Sequence, residues 1–107
     1  MVYELMANAY INAKANPSDT NVLTIYTCGQ FTTAIVKSIL VCNVNAADKT
    51  ITVKLGSSFL FNAKTIAAGA TVELLTAPLV VQADEVITVQ SNVANDMHIV
   101  ASILEVS

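Results

Sequence analysis

The chain carries a single histidine, His98, and the nearest acid able to orient it is Asp96, two residues earlier. In an extended segment that spacing puts both side chains on one face. A carboxylate beside an imidazole is how a general base is held, but that chemistry also needs a cleft and a third group. Met97 and Ile99 flank His98, which reads instead as a partly buried strand histidine. Asp84 and Glu85 place two carboxylates side by side in "ADE". A calcium loop needs more oxygen ligands at fixed offsets, so this is a solvated turn. Cys28 and Cys42 are too few for a zinc site. They read as two buried thiols, Cys42 on the more apolar face of its segment, with one disulfide as the alternative. The three glycines are isolated and make no phosphate loop. No catalytic residue, metal site or cofactor is expected, and the chain does not read as an enzyme.

Sugar sites lean on exposed aromatic platforms. Here there is no Trp and only six aromatics, of which Phe59 and Phe61 share a face and read as core. A module that binds host-surface glycans is therefore a lesser alternative. Lys37 is the one charge inside the apolar segment Thr33–Val44. It either snorkels to water or pairs with a carboxylate of another subunit.

The elements that must position these residues are strands. From Val22 on, apolar and polar residues alternate in short Val-, Ile- and Thr-rich runs. "NAADK", "AAGA", "ADE" and "NVAND" punctuate them as turns, and Gly69 permits a positive φ. "TITVKL" turns Ile51, Val53 and Leu55 inward and Thr50, Thr52 and Lys54 outward. Pro78 belongs at a strand start or edge. About eight short strands in one domain predict an all-β fold, a single antiparallel β-sandwich or jelly roll over residues 22–107.

Residues 1–21 differ. Val2, Leu5, Met6, Ala9, Tyr10 and Ala13 recur at helical spacing, and "NPSD" with Pro17 closes the segment. It reads as an N-terminal arm, either packed on its own domain as a short helix or extended piece, or reaching a neighbour. Met6 is an alternative start, since "MANAY" resembles an initiation site.

The chain has 107 residues, 54% apolar and 12% charged, with a net charge of −3 and five lysines but no arginine. The lysines are scattered, which argues against tracking nucleic-acid phosphates or anionic membranes. No apolar run reaches the roughly 18 residues a bilayer span requires. The first twenty residues hold one lysine and no long apolar block, so no secretory signal is expected and the chain reads as made in a cytosol. So much apolar content predicts surface buried against other chains, a homo-oligomer or larger assembly.

"TAIVKSILVCNV" sharpens that expectation. With period two, one face holds Ala34, Val36, Ser38, Leu40, Cys42 and Val44, and the other Ile35, Lys37, Ile39, Val41 and Asn43. Both faces are mostly apolar, whereas a half-solvated strand is apolar on one. If one face packs on the facing sheet, the apolar Ile35, Ile39 and Val41 of the other, with Lys37 among them, are left to face another subunit or the arm, which would cover the three apolar side chains. Together with Val2, Leu5, Met6 and Tyr10 they are the candidate subunit-interface residues.

Several segments carry a family resemblance: Met6–Tyr10 as a "MAN-Y" opening, Thr24–Thr27 as "T-x-Y-T", Ala34–Asn43 as "A-I-V-x-S-I-x-V-C-N", Val81–Val89, and the closing strand Ile99–Val106. In order and spacing they resemble the small virion structural proteins of tailed bacteriophages, over most of residues 6–107. The loop after the Tyr26 segment departs, reading "CGQF" where the family has "V-P-A-G", and residues 57–68 match nothing in it. The resemblance implies a β-sandwich without catalysis that works by repeating contacts in a virion assembled in the host cytoplasm. A capsid decoration (cement) protein bound to the major capsid protein is the leading expectation, and a neck, tail or fibre component the alternative.

Overall fold

The computed structural model describes residues 8–107, which form an all-β sandwich of nine strands. These are β1 (Asn8–Ala15), β2 (Leu23–Thr27), β3 (Thr33–Asn43), β4 (Lys49–Leu55), β5 (Ser58–Ile66), β6 (Thr71–Glu73), β7 (Leu79–Val81), β8 (Val86–Ser91) and β9 (Met97–Val106). One sheet runs β1-β9-β3-β6, with β7 also pairing on β3; the other runs β2-β8-β4-β5. All the pairings are antiparallel. The facing sides close on a core that includes Val36, Ile39, Val41, Ile51, Val53 and Ile103. Gly56 and Gly69 both take positive φ, the first in the two-residue turn from β4 to β5 and the second in the 67–70 turn.

Within the described residues, the 1–21 segment is not a unit apart from the sandwich. Its residues 8–15 are strand β1, paired with β9 over their full length from Asn8↔Val106 to Ala15↔Ile99. Asn, Ala and Lys fall within this strand, so intrinsic propensity is overridden by the open edge of β9. Ala9 and Tyr10 thus lie on opposite faces, and the helical stripe does not exist across them. Residues 1–7, and with them Val2, Leu5 and Met6, lie outside the described residues.

Strand β3 settles the question of its second face. The ladder with β9 slips between Val36 and Ser38, leaving Lys37 as an extra residue in a β-bulge. A bulge shifts the side-chain parity by one residue. Ala34 and Val36 point inward before it; Ile39, Val41 and Asn43 point inward after it, and all five are fully buried. Ile39 and Val41 are therefore core residues and not interface residues, each contributing roughly 1.5–3 kcal/mol on burial. The outward set is Thr33, Ile35, Ser38, Leu40 and Cys42. Cys42 is half-buried on that outer face, against the expectation of a core position, while Cys28 is the fully buried thiol; both are free.

The Glu73 carboxylate stitches the bulge. It accepts from the Ser38 hydroxyl, from the Ile39 N–H at 2.8 Å and from the Leu75 N–H at 3.2 Å. Desolvation pushes its pKa up, but these donors and the Leu74 N–H outweigh that and hold it below the usual carboxylate range. At the far end of β3, buried Asn43 donates to the carbonyls of Ala47 at 3.0 Å and Ile66 at 2.9 Å and accepts from Asn45 N–H at 2.9 Å. That one side chain ties the β3–β4 turn to the end of β5.

Candidate contact surface

The two outward faces differ in kind. On the four-stranded sheet, Thr24, Thr88 and Lys54 lie side by side in one row, and Gln90 and Thr52 in the next. Phe59, the partner of Lys54 on β5, ends that row with its ring centroid 4.7 Å from the Lys54 Nζ; it is 59% exposed, against the expectation of a core position, while a register shift puts Phe61 opposite the buried Val53. Phe59 apart, this is the polar face an antiparallel sheet turns to water.

The five-stranded sheet does the opposite. Register places Tyr10, Leu104, Ile35 and Val80 side by side across β1, β9, β3 and β7. Tyr10 is 78% exposed and Val80 52%. A polar row, Asn12, Ser102 and Ser38, comes next along the strands. Beyond it runs Lys14, Val100, Leu40 and Glu73, with a cation at one end, an anion at the other and aliphatic side chains between. Then come His98, Cys42 and Thr71.

Of the interface candidates within the described residues, the structure brings two together: Tyr10 and Ile35 flank Leu104 in one outward row. Lys37 is exposed at the bulge, with no ladder partner where the edge is interrupted between β6 and β7. Leu104, Val80, Val100 and Leu40 were missed. The signal for two of them stood in "MHIVASILEV", whose two faces are both largely apolar. There, as in β3, that pattern marks a strand covered on one side by its own fold and apolar on the other.

A second apolar feature sits at one end of the sandwich. The 28–32 loop is pinned by Cys28 N–H to Glu85 O, Asp84 N–H to Cys28 O, and Thr32 N–H to Gly29 O, at 2.9, 2.9 and 3.2 Å. Cys28 Sγ also donates to Thr32 O. At the tip Phe31 has a φ of 64° and is 86% exposed. This is the third residue of a Gly29–Thr32 turn, the position at which a positive φ ordinarily selects Gly or Asn. An apolar ring is thus held out on a strained backbone whose base is hydrogen-bonded to the 84–85 turn. Leu60, Phe61, Leu74, Leu75, Pro78 and Leu79 are among the residues that line an open notch of about 270 Å³ between β5 and the β6–β7 connection.

The residues with catalytic potential do not converge. Asp96 accepts from Asn45 Nδ2 at 2.8 Å, which engages it in the loop, and His98 is exposed on the outer face beside Cys42. Among the described residues no three His, Cys, Asp or Glu side chains gather as metal ligands would. Inside the sandwich, Tyr26 Oη donates to Glu105 across the two sheets at 2.5 Å, and burial followed by that bond pushes the phenol pKa up.

No known family model matches the chain, and no curated protein matches it either.

Proposed function

We propose that the protein is a non-enzymatic structural component of a tailed-phage virion, working as a capsid decoration (cement) protein bound to the major capsid protein. The observation that carries this reading is the Tyr10–Leu104–Ile35–Val80 row, an apolar surface on a sheet face that would otherwise be solvated. Such a surface on a small domain is a contact site. The sequence resemblance to small virion proteins supplies the kind of assembly. Phe31 adds an exposed aromatic ring, a residue type enriched at interface cores.

Quantitative mass spectrometry of purified particles tests the reading. Cement proteins occupy the shell lattice and are present on the order of hundreds of copies; neck, tail or fibre parts follow lower symmetry and number some tens at most. A count in the tens moves the protein to the neck, tail or fibre. Absence from washed particles sinks the virion reading.

A further inference from the structure

We infer that the outer face of the five-stranded sheet pairs with the same face of a second copy, in a two-fold dimer whose axis runs along the strands between β9 and β3. The inference rests on the proposed function only in taking this face as a contact surface; the partner follows from the register. Rotation about such an axis exchanges β1 with the β6/β7 edge and β9 with β3, leaving each row at its own level. Tyr10 then meets Val80 of the second copy, and Leu104 meets Ile35 of the second copy. Val100 meets Leu40, and Ser102 meets Ser38. Lys14 meets Glu73 of the second copy, once on each side of the axis, so the row that carries both a cation and an anion is self-complementary. A face that matches itself under a two-fold is the requirement for an isologous contact.

Lys37 does not oppose this. It is exposed at the bulge beside Ser38, where the edge is interrupted between β6 and β7, and a lysine stem is long enough to carry its ammonium out through that gap to water. The size also fits. Four lanes about 4.8 Å apart and nine residues long give roughly 500 Å² in projection, and a corrugated face of that extent approaches the ~800 Å² per partner of a standard interface. The opposite face, where Thr24, Thr88 and Lys54 lead to Phe59 and Gln90 pairs with Thr52, has no such apolar row.

The test is sedimentation velocity of the full chain at micromolar concentration, backed by cross-linking. The expected species has twice the 11.3 kDa chain mass. Tyr10→Asp and Lys14→Glu alter exposed side chains outside the core, and each is expected to raise the dimer dissociation constant at least tenfold with the thermal midpoint of the monomer retained. Thr88→Asp, on the other sheet, is expected to leave the dimer intact. In a Cys42→Ser background, Tyr10→Cys chains mixed with Val80→Cys chains are expected to couple through a short bismaleimide into a mixed dimer. A monomer at all concentrations, a trimer, a dimer indifferent to both face variants, or predominant coupling of Tyr10→Cys chains to one another overturns the inference. Loss of the dimer on removing residues 1–7 also overturns it, since that segment would then be the cover. A dimer that is absent from particles would sink the virion reading and leave this one standing.

Discussion

Phe31 is where local strain and exposure coincide, and the two together make an unusual expectation. A side chain at positive φ costs about 1–2 kcal/mol, and a glycine there returns part of that as added freedom of the unfolded chain. Phe31→Gly is therefore expected to raise stability by roughly 0.5–1 kcal/mol, since the 86% exposed ring gives up almost no burial. The same change should weaken any docking through the 28–32 loop. Chemical denaturation of the two proteins checks the first half; a destabilised variant would mean that the ring packs on something within the chain. Tyr26 is the opposite case, a side chain whose hydroxyl bridges the sheets. Its folded pKa lies above the unfolded value of about 10, so its contribution is present below pH 10 and is lost as pH rises through the folded value. Tyr26→Phe should cost about 1–2 kcal/mol at pH 7 and show a smaller alkaline loss than the native chain. Equal alkaline slopes in urea melts at pH 9 and 11 would rule out Tyr26 as a source of that loss.

The strands show how far sequence reading reaches and where it stops. β4 was legible: Ile51 and Val53 are buried and Leu55 half-buried on the inner side, as the alternation required. Most of β9's partition was legible too. In β3 the residues were identified correctly as a strand, but their faces were not, because period-two counting assumes no bulge. One unpaired residue, Lys37, moved Ile39 and Val41 from the supposed interface into the core. β2 repeats the point: its register slips between Thr24 and Tyr26, so Leu23 and Tyr26 pair with the inward Val89 and Ile87. Nothing in a local pattern announces a bulge; its determinant here is Glu73, distant in sequence, which supplies acceptors for Ser38 and the Ile39 N–H. Because Lys37 is the surplus residue, deleting it restores simple alternation, with Val36 inward, Ser38 outward and Ile39 inward. Deleting Val36 instead would turn Lys37 into the core, where an unpaired ammonium costs several kcal/mol. The Lys37 deletion is expected to fold with a cooperative melt and the Val36 deletion to be insoluble. If both unfold alike, the bulge itself is required. The acid limb belongs to the same element. Glu73's pKa is depressed by its donors, so its contribution is present above the unfolded carboxylate value and is lost as pH falls through the folded one. Glu73→Gln should flatten that limb.

At the scale of the whole molecule, the question is what the chain's first residues contribute. Reading 1–21 as an arm implied that residues 22–107 stand alone. The β1–β9 ladder reverses that for residues 8–15. Its eight paired residues supply about eight backbone hydrogen bonds, each worth a net ~1 kcal/mol, and β1 also covers the core with Ala13 and Ala15. That sum is comparable to the roughly 5–15 kcal/mol that holds a domain of this size together. Without β1, β9 becomes a ten-residue edge with free N–H and C=O groups and an uncovered apolar row, the kind of edge that recruits other chains. The Pro17 anchor would go as well, since Asn95 N–H donates to Pro17 O at 2.8 Å and ties down the 92–96 loop. A chain starting at residue 22 is therefore expected to aggregate or to melt without cooperativity, while one starting at residue 8 keeps every described pairing and should melt within a few degrees of the full chain. Thermal unfolding and light scattering of both truncations decide it. A soluble, cooperative 22–107 fragment would mean that β9 tolerates an open edge and that β1 is a detachable strap, free to pair with the β9 of another copy.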